Sequence, residues 1–230
     1  TSGARRMKWF EEHLKLKRES AFRALQPRLI GPTENSGRIT DIAAVRGRPY
    51  EFYCSAASGG VWKTTNNGTT WNPLWDDGST AAVGDIAVSE SDPDTVWIGS
   101  GEANCRWWSY SGTGVYKSTD GGRTWTGMGL GDSHTIGRIE IDPVDPERVY
   151  VAAMGHMHTR NEERGVFKTS DGGRTWKKVL YVDAGTGAVD LAIDPSDRSI
   201  LYAATWERIR RPWRITEYGP GSGIYKSEDG

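Results

Sequence analysis

The segment from Gly114 to Trp125 reads GVYKSTDGGRTW, and the chain repeats it almost unchanged. Close copies run from Gly60 to Trp71, from Gly165 to Trp176 and, in shortened form, from Gly223 to Gly230. The fourth residue of each copy is a lysine, and these lysines are spaced by 54, 51 and 58 residues. A period of this length exceeds that of most helical solenoids and is typical of propeller blades with long loops.

Each period contains two further runs of β-branched and aromatic residues between turn residues, which is the composition of strands. The first runs span 39–45, 83–88, 136–141 and 189–193, and the second span 51–55, 96–99, 149–153 and 201–205. The Gly-aromatic-Lys segment is the third strand, and the tryptophan begins the fourth. The sequence therefore predicts an all-β propeller with blades at about 37–75, 82–128, 135–180 and 187–230, the last one incomplete.

The turn after the third strand has an Asp or Asn followed by a glycine one or two residues later. Such a side chain accepts hydrogen bonds from amides of its own turn, and glycine adopts positive φ without steric cost. The tryptophan that follows is large enough to pack beneath neighbouring strands. The structural residues predicted from this pattern are Asn66, Asp120, Asp171, Asp229, Trp71, Trp125 and Trp176.

These turns resemble the Asp-box, or BNR repeat, of sialidase-type, sortilin-type and xyloglucanase-type propellers. The resemblance covers residues 27–230, and it implies that the turns lie on the face away from the ligand. It also implies a closed ring of six to ten blades and a secreted or periplasmic protein. Because an open arc leaves strand edges unpaired, we expect the chain to be part of a longer polypeptide or to be completed by other chains.

Residues 1–26 fall outside the repeat and form a separate segment. Met7, Phe10, Leu14, Ala21 and Leu25 recur at helical spacings with charged residues between them, which predicts an amphipathic helix over 5–25. We expect the helix to pack against the side of the propeller. A membrane-surface anchor is the less favoured alternative, because the helix carries acids as well as bases.

The charge balance narrows the classes of partner. The 29 Lys and Arg residues and 30 Asp and Glu residues give a formal net charge of −1, so no global field attracts nucleic acid. No apolar run approaches the roughly 20 residues of a transmembrane helix.

We expect no cofactor. Cys54 and Cys105 are too few for a disulfide framework, and whether they pair is left open.

Three inserts lengthen one face of the predicted propeller, at 100–113, 154–164 and 206–222. Long loops on a rigid scaffold commonly carry binding sites. The first insert combines aromatic and polar residues, and the third places arginines between two tryptophans. The candidate binding residues are Glu102, Arg106, Trp107, Trp108, Tyr110, Trp206, Arg208, Arg210, Arg211, Trp213 and Arg214.

Two interpretations of these residues are open. The aromatic rings can stack on sugars or a partner protein, and the guanidinium groups can bind a carboxylate, sulfate or phosphate. Alternatively, the first insert folds on its own aromatic residues, and the arginines of the third stack on tryptophan and pair with Glu207 and Glu217. For the third insert we favour the second interpretation.

Alignment of the blades places Asp41, Asp85, Arg138 and Asp190 at one position near the start of the inner strands. Side chains at this position approach the central channel. One interpretation is a ring of catalytic carboxylates, with Asp41, Asp85 and Asp190 as candidates. The interpretation that we prefer is a set of hydrogen-bonded structural groups. Arg38 and Arg138 are similar to channel arginines of sialidases, but no Tyr/Glu nucleophile pair accompanies them.

His156 and His158 lie near Glu162 and Glu163, a combination that raises the question of a metal site. Metal sites require three or four ligands at suitable spacing, and the sequence offers no third one. We therefore predict a solvated loop and no metal.

The resemblance to xyloglucanases implies a catalytic Asp just before Gly-Gly in the first blade. Ala57 occupies that position here. We therefore predict a non-catalytic binding or scaffold propeller that recognises a glycan, peptide or protein through its long-loop face, as sortilin-type and photosystem-assembly propellers do. The alternative is a glycoside hydrolase that uses two carboxyl groups as acid and base.

Overall fold

The computed structural model describes residues 1–25, 37–104 and 109–230 of the chain. One helix precedes a succession of antiparallel sheets, and within each of the first three sheets every strand pairs with the next along the chain. This arrangement confirms the predicted partial β-propeller with an N-terminal helix. The predicted boundary at residue 26 lies outside the described residues.

The blades follow one another in sequence. Blade 1 consists of β1 (Ile39–Ala44), β2 (Phe52–Ala56), β3 (Gly60–Thr64) and β4 (Asn72–Pro73). Blade 2 consists of β5 (Val83–Val88), β6 (Val96–Ser100), β7 (Val115–Ser118) and β8 (Thr126–Gly127). Blade 3 consists of β9 (Ile136–Ile141), β10 (Val149–Ala153), β11 (Gly165–Thr169) and β12 (Lys177–Leu180).

Blade 4 has three paired strands and carries a hairpin in its long insert. Its inner strands are β13 (Thr186–Ile193) and β14 (Leu201–Glu207). The insert then forms the two-stranded hairpin of β15 (Ile209–Arg211) and β16 (Arg214–Thr216). The third blade strand, β17 (Gly223–Ser227), pairs with β14 and is largely exposed.

The core lies between successive blades, where the apolar faces of two sheets meet. β6 and β10, the second strands of blades 2 and 3, are buried along their whole length. Between blades 1 and 2 the packing involves Val61 and Ile86, and between blades 2 and 3 it involves Trp97 and Ile139. Tyr150 packs in the corresponding cluster between blades 3 and 4.

The repeated turns are closed by their acidic or amide side chains. Asp120 accepts hydrogen bonds from the Thr124 amide at 2.9 Å and the Thr124 hydroxyl at 2.7 Å, and Asp171 makes the same two bonds to Thr175. Asn66 accepts from the Thr70 amide at 2.9 Å. Hydrogen bonds from Thr175 and Thr169 lower the pKa of Asp171 to about 2.

The N-terminal helix, α1 (Gly3–Glu19), is capped by Ser2, whose hydroxyl accepts a hydrogen bond from the Arg5 amide. It packs on blade 2: Arg6 donates to the carbonyls of Gly112 and Gly131, and the Met7 sulfur lies 3.6 Å from the Tyr116 hydroxyl. No helix in the described parts of the chain has both the length and the apolar character needed to cross a bilayer.

The helix is shorter than predicted at its C-terminal end. It stops at Glu19 because Ser20 has an extended backbone conformation, with φ −58° and ψ 136°. Ala21 and Leu25, which continue the apolar spacing in the sequence, therefore lie beyond the helix, and Leu25 is exposed. The prediction that these two residues belong to the helix was wrong.

Candidate functional site

The inner strands of all four blades share one irregularity, a bulge near the start of the strand. The bulge sets the direction of the side chain that follows it. In each pairing with the second strand, one residue near the start is skipped, namely Thr40, Gly84, Gly137 and Val189. Such a bulge adds an unpaired residue and redirects the side chain that follows. The residues directly after the four bulges are Asp41, Asp85, Arg138 and Asp190.

These four residues meet around the guanidinium of Arg138. Its Nη1 atom lies 3.7 Å from Asp41 Oδ1 and 3.5 Å from Asp85 Oδ1, and its Nε atom donates to Asp190 Oδ1 at 2.9 Å. Asp85 is buried and also accepts a hydrogen bond from the Ile139 amide at 2.6 Å. We call Asp41, Asp85, Arg138 and Asp190 the Arg138 cluster.

The electrostatics of the cluster raise the pKa of both Asp85 and Arg138. Burial and the charge of Asp41 raise the pKa of Asp85 well above its ordinary value, although Arg138 and the Ile139 amide oppose this. Burial disfavours the charge of Arg138, but the Asp190 hydrogen bond and the charges of Asp85, Asp190 and Asp41 outweigh it and raise the pKa of Arg138.

Glu140 adds a carboxyl group that the sequence analysis missed. It follows Arg138 by two residues in β9, so both side chains lie on one face of the strand. Burial raises the pKa of Glu140 to about 7, with the charges of Asp190 and Asp41 adding to the effect and Arg138 opposing it. The other three blades have alanine at this position, at residues 43, 87 and 192. That departure from the repeat is the pattern that identifies Glu140.

The first insert supplies a second ion pair at this side of the propeller. Glu102 is buried, accepts a hydrogen bond from Arg38 Nε at 3.1 Å and accepts another from the Ser109 hydroxyl at 3.2 Å. Glu102, one of the candidate binding residues, is thus already paired with Arg38. Tyr110 is exposed. The other candidates of this insert, Arg106, Trp107 and Trp108, lie outside the described residues.

The third insert divides into a packed base and an exposed tip. The Arg208 guanidinium lies 4.0 Å from the centre of the Trp206 ring, and its Nη2 atom is 3.4 Å from Glu217 Oε1. Arg210 is also buried. The tip of the β15–β16 hairpin instead leaves Arg211, Trp213 and Arg214 exposed, with 79% of Trp213 accessible.

His156 lies in a different environment from the predicted solvated loop, and for this residue the prediction was wrong. Its ring stacks on His134 with centroids 3.7 Å apart and an angle of 21° between the planes. Its Nε2 atom is 2.7 Å from the Asp132 carbonyl oxygen. The reason is that the loop before β9 packs against the second insert. His158 is exposed, and its Nδ1 atom is 3.0 Å from the Arg210 carbonyl oxygen.

His134 is the second functional candidate that the sequence analysis missed. Burial and the charge of Arg6 lower the pKa of His134 to about 4. The sequence offers one signal for this candidate, namely that Asp132 and His134 lie two residues apart in a short loop. Their proximity to His156 depends on contact between blades.

Ala57, the position at which xyloglucanases are expected to carry a catalytic Asp, is buried and has no ionisable group. Its backbone amide donates to the Arg38 carbonyl at 2.8 Å. In the described part of the chain, the carboxyl groups that follow the bulges are those of Asp41, Asp85 and Asp190, with Glu140 further along β9.

No family model matches the chain. A xyloglucanase from Paenibacillus sp. is 28% identical over 160 residues, which cover 61% of this chain and 14% of that protein. Xyloglucanase Xgh74A from Acetivibrio thermocellus is 35% identical over 106 residues, 38% of this chain and 12% of the relative. A vacuolar protein sorting/targeting protein 10 from Kluyveromyces lactis is 31% identical over 81 residues, 35% of this chain and 5% of the relative. The chain thus matches only a small part of each protein.

Solved structures give the same architecture at lower identity. An ancestral GH74 enzyme superposes with a TM-score of 0.58 at 18% identity, covering 74% of this chain and 22% of that one. The GH74 xyloglucanase from Xanthomonas campestris gives 0.53 at 18% identity, covering 81% and 32%. An auxiliary nutrient binding protein from Bacteroides thetaiotaomicron gives 0.53 at 11%, covering 84% and 43%. At such identities the structures support the fold alone. The chain is a partial β-propeller with sequence similarity to xyloglucanases.

Proposed function

We propose that the chain is part of a propeller that acts on xyloglucan or a related polysaccharide through the face that carries the inserts. The observation that carries this proposal is the sequence similarity to xyloglucanases, which extends over 160 residues in one case. The long inserts and the Arg138 cluster near the starts of the inner strands support the choice of face. An extracellular or periplasmic location belongs to the same proposal.

Hydrolysis is the form of this proposal that the comparisons favour. Glycoside hydrolases use one protonated and one ionised carboxyl group on either side of the bond that breaks. With a pKa of about 7, Glu140 keeps its proton in mildly acidic solution and is suited to donate it to a leaving group. The carboxyl groups of Asp41 and Asp190, in the neighbouring Arg138 cluster, lie within 3.7 Å of the Arg138 guanidinium.

Binding without cleavage is the second candidate, and Ala57 favours it. The position expected to hold a catalytic Asp carries no acid, while exposed aromatic residues remain on the inserts. Trp213 and Tyr110 offer flat apolar faces on which sugar rings can stack. In this form of the proposal the Arg138 cluster is a structural ion network.

The test is an assay of the full-length protein that contains this segment, with xyloglucan and a panel of unrelated polysaccharides. Binding is measured by calorimetry and cleavage by the release of reducing ends. Hydrolysis through Glu140 predicts that Glu140→Gln loses release but keeps binding, while Glu12→Gln on the exposed helix keeps both.

Binding without cleavage predicts no release from the unmodified protein and an affinity that falls in Trp213→Ala but not in Trp9→Ala, a matched change of an exposed tryptophan on α1. Absence of both binding and release across the panel would overturn the proposal as a whole.

A further inference from the structure

Three side chains with metal-binding atoms meet where blade 2 passes into blade 3. Asp132 and His134 lie in the loop between β8 and β9, and His156 lies in the insert between β10 and β11. One atom from each, a carboxylate oxygen and two imidazole nitrogens, lies within 4.8 Å of the other two. In a tetrahedral zinc site, bonds of about 2.0–2.2 Å put ligand atoms roughly 3.3 Å apart. The two imidazole rings now stack, with 21° between their planes, so closing the site requires His134 to turn out of the stack as well as side-chain movements on the order of 1 Å.

The orientation of His156 suits a metal ligand. Its Nε2 atom lies 2.7 Å from the Asp132 carbonyl oxygen, so this nitrogen carries the proton and donates it. The Nδ1 atom then has a free lone pair. A histidine that binds metal through one nitrogen commonly donates from the other to a carbonyl or carboxylate, which fixes the tautomer and the ring.

His134 has a buried nitrogen without a partner and a strained backbone. Its Nε2 atom is buried and has no hydrogen-bond partner, which costs free energy in the absence of a ligand. Its backbone has φ of +61°, a left-handed conformation that is uncommon outside glycine. The Gly112 amide holds this conformation by donating to the His134 carbonyl at 2.6 Å. Strained backbone of this kind is concentrated at functional positions.

We propose that Asp132, His134 and His156 bind one divalent transition-metal ion of the zinc type. Two imidazoles and one carboxylate match the ligand preferences of Zn²⁺ and its neighbours in the first transition series, whereas Ca²⁺ and Mg²⁺ prefer oxygen ligands alone. Asp132 Oδ1 also accepts from the Gly3 amide, which orients the carboxylate.

Three protein ligands leave a position open for water or a small anion. A cavity of about 240 Å³, lined by both histidines and by Ser109, Tyr110 and Thr159, provides the space. Arg6 is the opposing influence: its guanidinium acts electrostatically on both Asp132 and His134, and its charge disfavours a cation. The Asp132 carboxylate offsets this charge, so the proposal requires all three ligands.

The experiment is calorimetric titration of the chelator-treated, tag-free protein with Zn²⁺, followed by titration with Mg²⁺ and Ca²⁺. Co²⁺ absorption spectra report coordination by the same groups independently of any enzymatic activity. We expect one Zn²⁺ per chain, no heat with Mg²⁺ or Ca²⁺, and affinity at least about tenfold lower in His134→Ala and in His156→Ala. The control His13→Ala, at an exposed position of α1 outside this cavity, should bind as tightly as the unmodified protein.

Asp132→Asn keeps an acceptor for the Gly3 amide and removes only the charge, so it tests the site even if the histidine variants fold poorly. We expect it to weaken Zn²⁺ binding by about tenfold as well. Absence of stoichiometric binding, or binding unchanged in Asp132→Asn and in whichever histidine variants remain folded, would overturn the proposal.

Discussion

Arg138 joins carboxyl groups from three other blades, and its removal should destabilise the fold. Arg138→Met leaves Asp85 buried without a cation, which we expect to cost about 2 kcal/mol in the free energy of unfolding. The value is below that of a fully buried pair because 35% of the arginine side chain is accessible. Urea unfolding measures it. Arg174→Met is the control: that arginine is exposed and 4.0 Å from Glu147, so a similar loss there would contradict the special role of Arg138.

Glu140 should make the stability of the protein depend on pH. Its pKa rises from the ordinary value of 4.5 to about 7 on folding, mainly through burial. Between these pH values the folded state holds a proton that the unfolded chain has released, so stability falls as the pH rises. Glu140→Gln removes this effect and should gain stability relative to the unmodified protein by about 2 kcal/mol between pH 4.5 and 7, since access of solvent reduces the full linkage value.

Chemical unfolding of both proteins at several pH values provides the measurement. Glu12→Gln, on the exposed face of the helix, is the matched control. If it shows the same trend, or if the advantage of Glu140→Gln does not grow with pH, Glu140 does not carry a raised pKa.

At the scale of the strand, the bulge in β5 requires a glycine. A Cβ atom at Gly84 would collide with the carbonyl oxygens of Ile136 and Gly101, both of them backbone atoms that cannot move independently. We expect Gly84→Ala to reduce stability by about 3 kcal/mol and to widen the gap between blades 2 and 3. Thermal unfolding tests this. Gly127→Ala in β8 is the control, because the new Cβ would lie 3.5 Å from the Tyr116 ring; equal effects of the two changes would refute the argument.

The strands could be predicted because their information is local. Each blade repeats the same β-branched runs and turn residues, and alignment of the repeats alone brought Asp41, Asp85, Arg138 and Asp190 to one position. The end of α1 was mispredicted because the apolar spacing continues to Leu25, whereas the backbone of Ser20 ends the helix. The contact of His134 with His156 joins loops of different blades, and no periodic pattern records it. Glu140 could have been identified from the sequence only by comparing the positions at which the repeats differ.

At the scale of the whole molecule, blades 2 and 3 are each joined to the preceding blade by a hydrogen bond from a tryptophan. Trp125 Nε1 donates to the Leu74 carbonyl at 2.9 Å, and Trp176 Nε1 donates to the Met128 carbonyl at 2.6 Å. Each acceptor follows the tryptophan of its own blade by three residues, so the equivalent acceptor in blade 3 is Val179. It lines a groove between blades 3 and 4 together with Tyr150 and Leu201.

This groove should accept a fourth strand for blade 4. In a fragment that is cut at Gly230, an appended segment Gly-Arg-Thr-Trp-Thr-Gly puts a tryptophan in the register of Trp125 and beside the exposed edge of β17. Burial of its ring should raise the free energy of unfolding by about 2–3 kcal/mol. Calorimetry compares it with the same extension carrying alanine in place of tryptophan. If both extensions change the stability equally, the tryptophan does not enter the groove. The contacts of Trp125 and Trp176 would then not predict how blade 4 packs on blade 3.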